Sequence, residues 1–414
     1  MRTVGLIVEY NPFHNGHHYH LQQSRKITGA EAVVAVMSGN FLQRGEPALL
    51  DKWSRTRMAL EGGCDLVIEL PVAYATHAAE WFAHGAVALL EATGAVDAFC
   101  FGTESGELAP LQQAASLLAD EPPDFRASLK QLLDTGINYP TAYSGAVAAY
   151  LSEQGHPDTA SFPFAQPNHT LGLHYLLALR RLAGRMEPFT IAREKSQYNE
   201  QTISDSQIAS ATAIRKLLLD ERNLAPIRSY VPASTYRIIE EQWAAGHCPI
   251  SWTDFMKPLL HQTVIRSAGE LSGLRDISEG LEHRLLRTLP DLASMHFEDL
   301  LDMLKTKRYT RTRLQRALLS VLLGHEKSSF TPEKLASGVQ YIRVLGFTEK
   351  GKQLLRRMKT TASLPVLLSA ARPPEPYPYL ELDTRASAVY MLGRGDSVPS
   401  EALFRDFKEK PVIL

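Results

Sequence analysis

Cysteine is scarce in this sequence: Cys64, Cys100 and Cys248 are the only three in 414 residues. They stand far apart, with no CxxC spacing and no even framework, so no disulfide scaffold is expected. Cys64 and Cys100 fall in apolar, strand-like runs and read as buried thiols. Long hydrophobic runs are missing too. The most apolar stretch, Leu66–Ala79, contains Glu69 and His77 and is too short for a membrane helix. Net charge is nearly nil, with 44 Lys and Arg against 45 Asp and Glu. At 44% hydrophobic and 21% charged residues, the composition excludes global disorder, collagen and a coiled rod. The opening run MRTVGLIVEY has no small-residue cleavage site and reads as a first strand, not a signal peptide. A cytoplasmic protein is expected, with no membrane association and no evident protein partner.

The length suits two or three domains, and the charge is unevenly spread. Residues 301–360 carry 14 Lys and Arg against 4 Asp and Glu, whereas residues 1–300 hold 24 basic and 34 acidic groups. Such a split predicts that one module meets a polyanion; a solvated helical surface is the alternative.

Apolar β-rich runs at Thr3–Val8, Ala32–Met37, Asp65–Leu70, Val96–Phe101 and Pro188–Ala192 alternate with helical patterns. Those patterns cover Gly16–Ile27, Leu50–Glu61, Ala79–Ala92 and Asn168–Arg181, with more helix expected across Leu108–Leu133 and Ala142–Glu153. The alternation predicts a doubly wound α/β domain built on a parallel sheet. Ser204 and Gln207 fit a capping box that opens a helix through Leu219. Beyond Ser234 the strand signals fade. The expected division is therefore 1–225, α/β, and 226–414, mainly helical and partly basic.

The strongest motif stands at the end of the first strand: Val8-Glu9-Tyr10-Asn11-Pro12-Phe13-His14-Asn15-Gly16-His17. Two histidines bracket a glycine where a strand hands over to a helix. The glycine lets a ligand approach the backbone, and the helix start offers amides to phosphate oxygens. His14 and His17 are candidate catalytic donors to charge growing on a phosphate. A metal site among His14, His17, His18 and His20 is the competing reading, but no Cys or carboxylate spacing completes a ligand set, so no metal is expected there.

This stretch resembles the HxGH signature of the nucleotidyltransferase superfamily. A second superfamily signature has its counterpart in Ala209-Ser210-Ala211-Thr212-Ala213-Ile214-Arg215. Many adenylyltransferases carry Asp where this chain has Asn11, and alanines stand at 209 and 211. More narrowly, GLIVEYNPFHNGHHYHL, AVMSGNFLQRGEPA, KWSRTRMAL, FGTESG, PNHTLGLHYLLAL, YTRTRLQR and RVLGFTEKGKQLL resemble the bacterial tRNA(Met) cytidine acetate ligase family along essentially the whole chain.

The resemblance implies ATP as co-substrate, with Mg2+ accompanying it, and acetate activated as acetyl-adenylate. It further implies acetyl transfer to N4 of the wobble cytidine of elongator tRNA(Met). It assigns ATP binding to the loop Ile7, Val8, Glu9, Tyr10, Asn11, Pro12, Phe13, His14, Asn15, Gly16, His17, His18, Tyr19 and His20. Gly102, Asn168, Arg193, Ser210, Thr212 and Arg215 join them. The alternative readings are a turn glycine for Gly102, a helix cap for Asn168, a solvated charge for Arg193, and a hydroxylated helix face for the Ser210–Arg215 set. The loop Ser38–Gly45 lines an acetate or cytidine pocket, or is ordinary surface turn. No side chain stands out as a base for the cytidine amine.

The basic module supplies the candidate tRNA contacts Lys307, Arg308, Arg311, Arg313 and Arg316, with Lys352 and Arg356 on a second basic helix. Leu314, Leu318, Val321 and Leu322 make the buried stripe of the first helix, leaving Arg313 and Arg316 at its polar flank. Tyr309 is placed in the core, with stacking on a base as the alternative. Two other functions fit parts of the pattern: an adenylyltransferase for a small phosphorylated metabolite, and a non-catalytic RNA-binding protein.

Overall fold

In the computed structural model, strands form where the apolar runs lie: β1 (Thr3–Val8), β2 (Ala32–Ser38), β3 (Leu66–Leu70), β4 (Ala98–Thr103) and β5 (Glu187–Ala192). The structure describes residues 1–193, 209–306, 309–395 and 399–414. Helices α1 (Asn15–Thr28), α2 (Lys52–Glu61), α3 (Ala79–Ala92) and α4 (Pro167–Arg181) connect or flank the strands. All five strands pair in parallel, in the order β5-β4-β1-β2-β3.

Every residue of β2 is buried, as a parallel strand covered on both faces requires. Val34 and Val36 face a core shared with α3 and α4. Val33, Ala35 and Met37 face the opposite core, shared with α1 and α2. Cys64, Cys100 and Cys248 are free, buried thiols. The 108–133 stretch breaks into two helices, Ala109–Leu118 and Pro123–Asp134, with Pro122 and Pro123 at the break.

Helix α5 (Ala211–Asp220) begins at its N-cap Ser210, whose Oγ accepts from Ala213 N. Ser204 and Gln207 lie outside the described residues.

The fading of strand signals past Ser234 is corrected by three strands: β6 (Ile342–Phe347), β7 (Val366–Leu367) and β8 (Val412–Ile413). β6 pairs antiparallel with β3, so both stretches of chain share one sheet. Buried Arg343 masks the strand in the sequence. It is tolerated because Glu69 (3.2 Å) and Asp406 (2.9 Å) flank it.

The helices between Trp252 and Leu323 build a third core around Trp252, Phe255, Leu300, Leu314 and Leu318. Phe41, from the loop after β2, plugs into that core beside Phe255 and Tyr390. The helical module is thus anchored at the strand-end edge of the sheet.

Candidate active site

In the strand order, β1 and β4 are neighbours whose connections run to opposite sides, and ligands of such sheets bind in the crevice outside the strand ends there. The HxGH residues sit at that crevice. His14 is the N-cap of α1, and its Nδ1 accepts from Gly16 N at 3.0 Å. His17 Nδ1 in turn accepts from His14 N at 3.4 Å. Both Nδ1 atoms act as acceptors, which leaves each ring proton on Nε2. The two rings stack with centroids 3.7 Å apart, and Tyr10 and Phe13 brace the ring of His17. Tyr10 itself adopts a left-handed φ of 47°, turning the chain sharply out of β1.

Burial, then the Arg193 and Arg215 charges, push His14 down to about 3. Burial and Arg193 push His20 down to about 4, and His17 is lowered by burial, His14, Arg193 and His20. The imidazoles at this crevice are therefore neutral at neutral pH, and a bond from the His17 ring to the Pro12 carbonyl only partly opposes that shift. Unfolded, these rings protonate near pH 6.5; folded, they resist, so their stability contribution is full above 6.5 and is lost as pH falls. The slope is about 1.4 kcal/mol per pH unit for each such group. Urea unfolding should show a lower midpoint at pH 5.5 than at pH 7.5; equal midpoints would mean that the rings are solvated.

The other predicted nucleotide residues gather on the β4 and β5 side. A Cβ at Gly102 would lie 3.3 Å from Arg193 Cγ and 3.7 Å from His20 Cδ2, so that glycine adjoins both side chains. Asn168 is buried near the start of α4; its Oδ1 accepts from Arg193 Nη1 at 3.4 Å. Glu104, which the sequence reading passed over, accepts from Asn168 Nδ2 (2.8 Å) and from the N–H groups of Asn168 and His169. Its carboxylate meets the first amides of α4, a pairing across 64 residues that no local sequence signal announces. The second motif closes on the first: Arg215 donates to the Asn11 carbonyl at 3.1 Å and to Thr212 Oγ1 at 3.3 Å. Asn15 is held by the carbonyls of Tyr230 and Ser229. Exposed His18 faces Gln22 along the helix surface.

On the β2 side the loop 38–47 closes the crevice. Glu9 Oε1 accepts from Gln43 N (2.8 Å) and Ser38 Oγ (3.3 Å). Arg55, fully buried on α2, donates to the carbonyls of Glu9, Ser38 and Gly39 and so ties the ends of β1 and β2 together. Nearly all of α2 is buried, Lys52 included, so nothing in the residue pattern sets Arg55 apart as a buried cation.

Glu46 lies 3.6 Å from Arg215 and accepts from Gln315 on helix α6 (Arg311–Leu323) at 3.2 Å. The basic helix α6 therefore abuts the loop beside the crevice. Its cations are largely paired: Arg311 with Glu298, Arg313 with Glu279 and Ser278, and Arg316 3.9 Å from Asp276. Lys307 and Arg308 lie outside the described residues. Tyr309 is buried beneath the Arg313 guanidinium, as core packing predicts.

The second basic helix, α7 (Glu349–Thr361), lies elsewhere. Thr348, Lys350 and Arg357 meet Asp65, Glu31 and Asp97, all at the starts of strands. Lys352, paired with Glu349, and exposed Arg356 thus stand a strand length, roughly 20 Å, from the HxGH edge. The structure does not bring them together with Arg313 and Arg316.

No helix among the described residues is long and apolar enough to cross a membrane. Residues 1–402 match the family model of the HIGH Nucleotidyl Transferase. The chain is 41% identical over 374 residues to a tRNA(Met) cytidine acetate ligase of Caldanaerobacter subterraneus subsp. tengcongensis, covering 90% of each. A ligase of the same name from Lysinibacillus sphaericus is 38% identical over the full length of both chains. The fold is similar to crystal structures of Thermotoga maritima TmcAL at 32% identity over all of both chains. The TM-score is 0.92 for the apo form and 0.90 for the form bound with alpha-thio ATP. With the HxGH loop and the second motif joined in one crevice, and likeness extending from end to end, the chain belongs to the tRNA(Met) cytidine acetate ligase family of HIGH nucleotidyl transferases.

Proposed function

We propose that this chain joins acetate to ATP, releasing pyrophosphate, and transfers the acetyl group from the adenylate to N4 of the wobble cytidine of elongator tRNA(Met). The observation that carries this reading is the closure of Thr212 and Arg215 onto Asn11 beside the stacked His14 and His17, in a chain alike throughout to relatives of that name. Acetate oxygen attacks the α-phosphorus and pyrophosphate leaves. Nε2–H of His14 and His17, with Arg193 and Arg215, stabilises the charge that builds on the phosphates. Gly102, Asn168 and Arg193 hold the nucleoside end. Bound with the triphosphate, Mg2+ would offset phosphate charge beside Arg215 and the two histidines.

The division of labour follows the chain: residues 1–225 activate, and residues 226–414 hold the RNA, with Arg311, Arg313 and Arg316 on the side near the crevice. The reaction takes place in the cytoplasm, where its tRNA substrate is. Incubation with ATP, labelled acetate and an elongator tRNA(Met) transcript tests the reading. Labelled RNA is the expected result; a new nucleotide conjugate with a phosphorylated metabolite, or RNA binding without turnover, would replace it.

A further inference from the structure

Acyl transfer to cytidine must dispose of a proton. The exocyclic amine is a weak nucleophile, and its N–H has to leave as the new C–N bond forms. Building on the function proposed above, the chain's topology narrows where the acceptor of that proton sits. Residues facing the nucleoside end, Gly102, Asn168 and Arg193, come from the β4 and β5 side of β1. The opposite side of β1 is bounded by loop 38–47, against which the basic helix α6 packs. The acceptor nucleotide therefore approaches from the β2 side.

Glu9 stands between the two. It follows the last residue of β1, where Val8 is in register with Met37 of β2. One carboxylate oxygen, Oε1, is pinned by Gln43 N and Ser38 Oγ, and the backbone carbonyl is pinned by Arg55 at 2.6 Å. The other oxygen, Oε2, takes no hydrogen bond from any described residue, and the side chain, though mostly buried, keeps some exposure. A carboxylate fixed by one oxygen and open at the other is already oriented. Arg55 from α2, Arg215 from α5 and Glu46 from the loop are the charged groups that face it.

We propose that Glu9 is the general base of acyl transfer. As N4 bonds to the acetyl carbon and the bond from that carbon to the AMP oxygen breaks, Glu9 Oε2 takes the N4 proton and later yields it to water. AMP leaves with the electron pair of the broken bond. Burial holds the Glu9 carboxyl above its usual range, against the opposing effects of the Gln43 amide and Arg55, which brings a carboxylate nearer the strength useful at neutral pH.

The test separates the two half-reactions in Glu9→Gln, which keeps an oxygen for Gln43 N but cannot take a proton. Acetyl-adenylate is formed on the enzyme from ATP and acetate, then chased with an elongator tRNA(Met) transcript between pH 5.5 and 9. Transfer should slow roughly 100-fold and lose the limb that rises with pH; because Glu9 also lies in the nucleotide loop, adenylate formation is measured in parallel, and the role requires the loss in transfer to exceed the loss in adenylation. Glu9→Asp should slow transfer less and keep the limb. Equal losses in both half-reactions, or an unchanged limb in Glu9→Gln, would overturn the role. Should Glu9→Gln not fold, a flat wild-type transfer profile would overturn it as well. Wild-type protein that makes no acetyl-RNA overturns the functional reading itself, and the role of Glu9 with it.

Discussion

His17→Ala is expected to lower acetate-dependent exchange of pyrophosphate into ATP by two to three orders of magnitude. Removing one preorganised donor to transition-state charge costs about 2.7–4 kcal/mol in other sites of this kind. Here the donor is a neutral imidazole, its Nδ1 occupied by His14 N and its ring braced between Tyr10, Phe13 and His14. No reorganisation is needed when charge develops, which is why the loss should be large. The variant should keep its circular dichroism and melt within a few degrees of the parent, because the ring lies at the crevice and not in any of the three cores. Because the two rings stack, a His14→Ala/His17→Ala double variant should lose less than the product of the single losses. A single variant that retains a third of its activity, or that unfolds, would make His17 a structural residue.

The largest effect on stability is expected at Lys52. Its ammonium is fully buried, 2.7 and 2.9 Å from the oxygens of Glu69 and 2.9 Å from Asp406. Burial alone would raise the Asp406 carboxyl, but Lys52 and Arg343 more than offset it and hold it below the usual range. Lys52→Ala leaves two buried carboxylates facing the single guanidinium of Arg343. Breaking such a group by removing one partner costs about 3–5 kcal/mol. Chemical denaturation should show a loss of that order. Arg57→Ala is the comparison. Arg57 lies on the same helix but is 33% exposed and paired at the surface with Glu241, so about 0–1 kcal/mol is expected. Similar losses in the two variants would mean that the Lys52 cluster is hydrated.

Much of this was legible from residue order. Strand–helix alternation marked β1 to β5, the HxGH loop marked the crevice, and the leucine stripe of α6 marked its buried face. What remained hidden were charges whose state depends on partners far along the chain. Arg343 looks like a strand breaker until Glu69 and Asp406 are beside it. Glu104 looks like loop polarity until it caps α4 some 64 residues later. The α7 cations read like a continuation of the α6 basic surface, because their nearness in sequence says nothing about which edge of the sheet each occupies.

Residue pattern alone determined the parallel α/β core and the nucleotide loop, since both rest on local periodicity and on a contiguous turn whose chemistry is carried by neighbours. Only the tertiary structure decided what bounds the β2 side of the crevice, which basic helix adjoins it, and which of Lys52, Arg55 and Arg57 are buried. Those outcomes depend on long-range pairing of opposite charges and on the antiparallel return of β6 to β3, and a buried ion is stable only where distant carboxylates or carbonyls come to meet it.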